Sequence, residues 1–108
     1  MKSKKQYAIA FVTAPDLKVA RKLSKIILAR RLVACVNLVP GIESHYIWTN
    51  KLETSAEVLM ILKTPRACLK KLEKSILENH PYDTPEFLVL KIESGAKRYL
   101  DWIAASVK

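Results

Sequence analysis

The sequence predicts an α+β fold, a βαββαβ plait followed by a C-terminal helix, and three observations predict it. Four short runs rich in β-branched and aromatic residues are bounded by turn residues. Two longer segments carry apolar residues at helical spacing. The middle two β-prone runs are joined by a short polar turn, whereas the helical segments lie in the other two connections.

Tyr7 to Val12 reads Tyr-Ala-Ile-Ala-Phe-Val and is the first strand. Thr13-Ala14-Pro15-Asp16 interrupts it, and Asp16 is placed to cap a helix. From Leu17 to Leu32, Ala20, Leu23 and Ile27 recur at helical spacing, flanked by Val19 and Ile26. Lys18, Arg21, Lys22, Lys25, Arg30 and Arg31 take the wet side, and a cationic last turn suits the negative end of the helix dipole. Val33 to Pro40 is the second strand. Pro40-Gly41 predicts a bend or bulge, beyond which Ile42 to Trp48 continues extended. Thr49-Asn50-Lys51 makes the turn, because Asn tolerates a left-handed backbone. Ser55 to Lys63 returns as the third strand of a long hairpin.

Thr64 and Pro65 are expected to open the second helix, as cap and first helical residue. Its inner stripe is Cys68, Leu69, Leu72, Ile76 and Leu77, and it stops before Pro81. His80 to Pro85 is a loop, and Glu86 to Ile92 is the fourth strand. Gly95 ends that strand. Ala96 to Val107 then forms a tail helix with Tyr99, Leu100, Ile103 and Val107 on one side. Two right-handed crossovers around one hairpin give an antiparallel sheet with both main helices on one face, the ferredoxin-like plait. Its other face and its edges need cover, from the tail helix, the long hairpin or a neighbouring subunit.

The chain has 108 residues, which is one domain (1–108), with residues 1–5 as a basic tail. Half of it is apolar and 27% is charged, which supports a core and excludes disorder as the main state. No apolar run approaches the roughly 18 residues of a membrane span. The basic start lacks a small-residue cleavage site, so no membrane and a cytoplasmic location are expected. Cys35 and Cys68 are far apart and outside any C-x-x-C pattern, so two reduced thiols are expected. The net charge of +9 permits an anionic partner, but the cations are spread over tail, helices and C-terminus, as on solvated faces.

Several chemistries are excluded or disfavoured. Only two glycines are present and neither lies in a phosphate-loop pattern. Cys35 sits among Val33, Val36 and Leu38 without a local base, and Cys68 lies on an apolar helix side, so both read as small hydrophobes. No serine elbow appears, and the chain is not expected to be an enzyme. RNA-binding plaits stack bases on sheet aromatics, but Val33 to Val39 and Ser55 to Lys63 hold none. Nucleic acid is therefore disfavoured as a partner. The loop His80-Pro81-Tyr82-Asp83-Thr84-Pro85-Glu86 is stiffened by prolines and holds an imidazole and a carboxylate in a fixed relation, a pairing that suits Cu(II) or Zn(II). The plainer reading of His80 is a helix-terminal residue favoured by the dipole. His45 reads as a surface residue. Tyr46 and Trp48 alternate on one strand face near Lys51, Glu53 and Glu57, either as an interface or as the core of a curved hairpin.

Taken together, a set of segments resembles the CutA divalent-cation tolerance proteins from about Tyr7 to the tail. They are Thr13-Ala14-Pro15-Asp16, the run Leu32 to Pro40, Ser44, Tyr46, Trp48 and Lys51, then Glu57 with Lys63-Thr64, His80-Pro81-Tyr82 with Pro85-Glu86, and Gly95 with Tyr99-Leu100-Asp101-Trp102. The resemblance implies a ferredoxin-like fold similar to that of the PII signalling proteins. It also implies a tight homotrimer with strands extending across subunit boundaries. A role in tolerance of divalent metal ions, copper above all, follows from it, with no enzymatic activity established. His80 and Glu86 match the family's proposed metal ligands. Some members carry a cysteine just before Thr-Ala-Pro, where this chain has Val12. Cu(II) is therefore expected rather than Cu(I), with zinc as a second candidate. The intersubunit clefts of such a trimer would be lined by Tyr46, Trp48, Lys51, Glu57, Lys63, His80, Tyr82 and Glu86, with Lys63 balancing Glu57 or receiving an anion. The alternative is a PII-like signalling or interaction module that binds a small anionic ligand through Lys51 and Lys63.

Overall fold

In the computed structural model, which describes residues 5–107, the chain runs β1 (Tyr7–Ala14), α1 (Leu17–Ala29), β2 (Cys35–Trp48), β3 (Lys51–Pro65), α2 (Leu69–Asn79), β4 (Leu88–Ile92) and α3 (Lys97–Ser106). One 3₁₀ turn, Arg66–Cys68, precedes α2. The sheet is antiparallel in the order β2-β3-β1-β4, the α+β plait that the element order predicts. Residues 1–4 of the expected basic tail lie outside the described residues.

Strand register sorts the side chains. Ala10 pairs with Leu62 and Val12 with Met60, so the even-numbered residues of β1 and β3 share a face. That face is buried, and α1 lays Ala20, Leu23 and Ile27 over it while α2 adds Leu72 and Ile76. The three alanines of β1, Ala8, Ala10 and Ala14, lie on that face and leave room for both helices. Asp16 caps α1 as expected, its Oδ1 accepting the Val19 N–H at 2.8 Å.

Four expectations are corrected. First, α1 ends at Ala29, and Arg30 is its cap rather than part of a cationic last turn. Arg31 turns left-handed at φ 57°, and the N–H groups of Arg31 and Leu32 return to Leu28 and Ile27. This αL ending reseats Leu32 against the core, where it is buried beside Ile27. Second, Thr64 does not cap a helix. It lies buried in β3, next to the strand's last residue Pro65, and its hydroxyl donates to the Leu32 carbonyl at 2.7 Å. Third, Leu77 is exposed and Ser75 is buried, because α2 begins at Leu69 after the 3₁₀ turn and its inner stripe runs Leu72, Ser75, Ile76. Fourth, Glu86 and Phe87 lie outside β4. The β1–β4 register would set Glu86 opposite Thr13, but His80 has taken the Thr13 carbonyl.

The hairpin is longer than its β-prone runs. Thr49 (φ 48°) and Asn50 (φ 62°) form a two-residue turn with both centres left-handed, and Lys51 belongs to β3 rather than to the turn. Beyond Gly41 the arm projects, which gives extents of 52 × 26 × 22 Å. The radius of gyration is 14.9 Å, against about 13 Å for a compact chain of this length. α3 packs back on one end of the sheet's odd-numbered face through Ile103, and the rest of that face is incompletely covered.

Candidate functional site

Where the arm leaves the body, a cleft of about 660 Å³ opens between the end of β1, β2 beyond the bulge, the start of β3 and the loop after α2. The bulge is what aims β2 into it. Val39 pairs with Leu59, but Ile42 pairs with Glu57, so the register slips by one residue around Gly41 (φ 74°). A slip of one residue exchanges the two faces of a strand. Ser44, Tyr46 and Trp48 thereby join Glu57 on the odd-numbered face, although their own numbers are even.

Glu57 is 9% exposed, and its Oε2 accepts the Tyr82 hydroxyl at 2.6 Å. Behind Tyr82 stands His80, the C-cap of α2, 8% exposed. Its Nδ1 accepts the Tyr82 backbone N–H at 3.1 Å, and its Nε2 donates to the Thr13 carbonyl at 2.7 Å. One neutral tautomer satisfies both bonds. The two rings stand 4.7 Å apart. A chain of contacts, Thr13 to His80 to Tyr82 to Glu57, thus ties β1, the loop and β3 together.

Electrostatics set this cleft apart from the rest of a chain with net charge +9. Glu57, Asp83 and Glu86 line it, and among the described residues no lysine or arginine does. Burial, then the hydrogen bond to Glu57 and its charge, push the Tyr82 phenol far above its ordinary value. Burial and the negative charge of Glu57 hold the Glu86 carboxyl above the usual carboxylate range.

Of the residues expected here, Tyr46, Trp48, Glu57, Tyr82 and Glu86 do line the cleft. Tyr46 and Trp48 are 42% and 49% exposed, which removes the hairpin-core reading. Lys51 and Lys63 do not line it within the chain. Lys51 sits exposed at the arm's tip opposite Trp48. Lys63 is six residues along β3 from Glu57, about 20 Å, and its Nζ donates to the Tyr99 hydroxyl at 3.3 Å. Lys63 therefore does not balance Glu57. Unanticipated lining residues are Ser55, Asp83 and Thr84, and His45, whose ring is held by Glu43 at 2.6 Å and Thr54 at 3.1 Å. The alternation that marks Tyr46 would have found Ser55 once the register was known.

For a metal ion, the fit within one chain is incomplete. Both His80 nitrogens are engaged, and among the described residues no group of three or more His, Cys, Asp or Glu is placed to hold one. Neither cysteine forms a disulfide, and both are half-buried.

The family model for the CutA1 divalent ion tolerance protein matches residues 8–106. The chain is 42% identical over 100 residues to the divalent-cation tolerance protein CutA of Pectobacterium atrosepticum, covering 93% of this chain and 91% of that protein. It is 41% identical over 100 residues to the chloroplastic protein CutA 1 of Oryza sativa subsp. japonica, covering 93% of this chain and 56% of that longer protein. The solved structure of the periplasmic divalent cation tolerance protein CutA from Archaeoglobus fulgidus superposes with a TM-score of 0.92 at 35% identity, covering 94% of this chain and 99% of that one. With a chloroplastic and a periplasmic protein among these, the expected cytoplasmic location gains no support. No described helix is long and apolar enough to cross a membrane.

Proposed function

Because this chain belongs to the CutA1 divalent ion tolerance family, we propose that it serves divalent-cation tolerance as a homotrimeric binding protein, not an enzyme, with Cu(II) as the ion and Zn(II) as the second candidate. The observation that carries the reading is the acidic cleft in a strongly cationic chain. Glu86 faces the cleft beside Glu57 and Asp83, and these carboxylates are the donors available without rearrangement. His80 ligates only if it gives up the Thr13 carbonyl or the Tyr82 N–H. The remaining donors come from a neighbouring copy. Assembly is supported by the exposed apolar residues Leu88 and Leu90 on the odd-numbered face of the sheet. The anionic-ligand alternative is not favoured, since acids rather than Lys51 and Lys63 line the cleft.

The test is calorimetric titration of Cu(II) into the tag-free protein, beside Glu86→Gln and His80→Ala. Saturable binding at a fixed ratio per chain, weakened at least about tenfold in Glu86→Gln, is expected. A matching loss in His80→Ala would make the imidazole a ligand. Binding indifferent to both substitutions, or none, overturns the metal assignment.

A further inference from the structure

We propose that the cleft seats a small organic cation, an alkylammonium or guanidinium, with its charge on Glu57 and Glu86 and its carbon chain against Tyr46 and Trp48. The inference rests on reading the cleft as a cation site, and it names a different chemical class of cation from a metal ion.

Four observations carry it. The first is an unmet charge. Glu57 is 9% exposed, and among the described residues its carboxylate has no cationic partner, the ion pairs being His45–Glu43 and Lys97–Asp101. One oxygen takes the Tyr82 hydroxyl, while among the described residues no hydrogen bond reaches Oε1, which is not sealed from solvent. Burying a carboxylate without a counter-charge is costly, and a well-placed cation offsets part of that cost.

The second is the aromatic surface. Tyr46 and Trp48 alternate on one strand face, about 7 Å apart along the strand, and both are exposed into the cleft. Rings attract ammonium and guanidinium groups through their negative faces, most strongly beside a carboxylate in a partly dry site. The third is the poor provision for a bare metal ion, since the imidazole behind Tyr82 has both nitrogens occupied. The fourth is size. A cleft of about 660 Å³ lies within the range of roughly 300–1,000 Å³ typical of small-molecule sites, and it far exceeds what one metal ion fills.

The experiment titrates the 108-residue chain with spermidine and with agmatine. Trp48 fluorescence is read in a Trp102→Phe background, and calorimetry gives the ratio per chain. Saturable binding of at least one amine is expected, weakened tenfold or more by Glu57→Gln and by Trp48→Leu and unaffected by Lys51→Ala. Glu57→Gln keeps an oxygen for the Tyr82 hydroxyl, so it tests charge with little loss of shape. Absence of saturable binding, as when a basic side chain of a neighbouring copy fills the cleft, overturns the proposal. So does binding that Glu57→Gln leaves intact. A parallel Cu(II) titration separates the readings: copper binding without amine binding rejects the organic cation alone, and loss of both rejects the cation cleft itself.

Discussion

On β1 and β3 the two faces of the sheet are both largely apolar, yet the chain completes only one of them. The even-numbered face (Ala10, Val12, Met60, Leu62) is sealed under α1 and α2 to 0% exposure. The odd-numbered face carries Ile9, Phe11, Leu59 and Ile61, which stay half-buried, and on β4 Leu88 and Leu90 are 58% and 44% exposed. Composition does not separate the faces. What separates them is which one the crossovers cover, and right-handed crossovers place both main helices on the same side. Contiguous exposed apolar area of this kind marks an association surface. Along the hairpin the odd-numbered face changes character, from apolar between Leu59 and Ile61 to acidic and aromatic beyond the bulge. One sheet face thus carries both an exposed apolar area, the interface in the assembly proposed above, and the cleft.

The strongest way to break this comparison is to truncate adjacent residues that point to opposite faces. Leu62→Ala opens a cavity under the helices and is expected to cost about 2–5 kcal/mol of stability in urea unfolding. Ile61→Ala, one residue away, is expected to cost less than half as much, and its cost should grow with protein concentration, because association adds stability by mass action. Equal losses at every concentration would mean that both faces are completed within the chain.

The second change in size of effect concerns assembly. Leu90→Lys places a charge on the open face without touching the helix-covered core. Far-UV circular dichroism should remain that of the wild type. Sedimentation equilibrium should show the mass falling from an oligomer toward the 12.3 kDa chain. A variant that sediments like the wild type removes this face from the interface.

Elements held by local signals were legible in the sequence. Asp16 capped a helix because capping is settled within three residues, and Pro40-Gly41 made a bulge because a left-handed backbone is a local demand. Features settled across the chain were not. Thr64 reads as a helix cap beside Pro65, but a carbonyl 32 residues away claims its hydroxyl. His80 reads as half of a metal site, but its ring is held by Thr13, 67 residues earlier. Lys63 and Glu57 look paired on one strand, yet an extended strand carries them about 20 Å apart. Strand alternation marks Tyr46 and Trp48 and the proline-stiffened loop marks Glu86, and the family resemblance joins them with Glu57 and Tyr82 in one cleft, whereas the absence of lysine and arginine from its lining needed the register of the arm.

The smallest expected effect tests the cleft's charge. Folding raises the proton affinity of Glu86 through burial and the charge of Glu57. The folded state therefore prefers the protonated carboxyl. That preference acts in full below the ordinary carboxylate value, near pH 4.3, and is lost as pH rises through the raised folded value. At neutral pH the ionised Glu86 is a liability that Glu86→Gln removes. The variant should be more stable than the wild type at pH 7, by under about 1 kcal/mol because solvent screens a partly exposed group. The gap should close toward pH 4. In a Glu57→Gln background the gap should shrink, since one of its two causes is gone. The opposite sign, a variant less stable at pH 7, would mean that positive charge reaches Glu86 in the assembled protein. Dialysis against chelator and then against amine-free buffer would tell a bound cation from a neighbouring chain, because only a bound cation can be washed out.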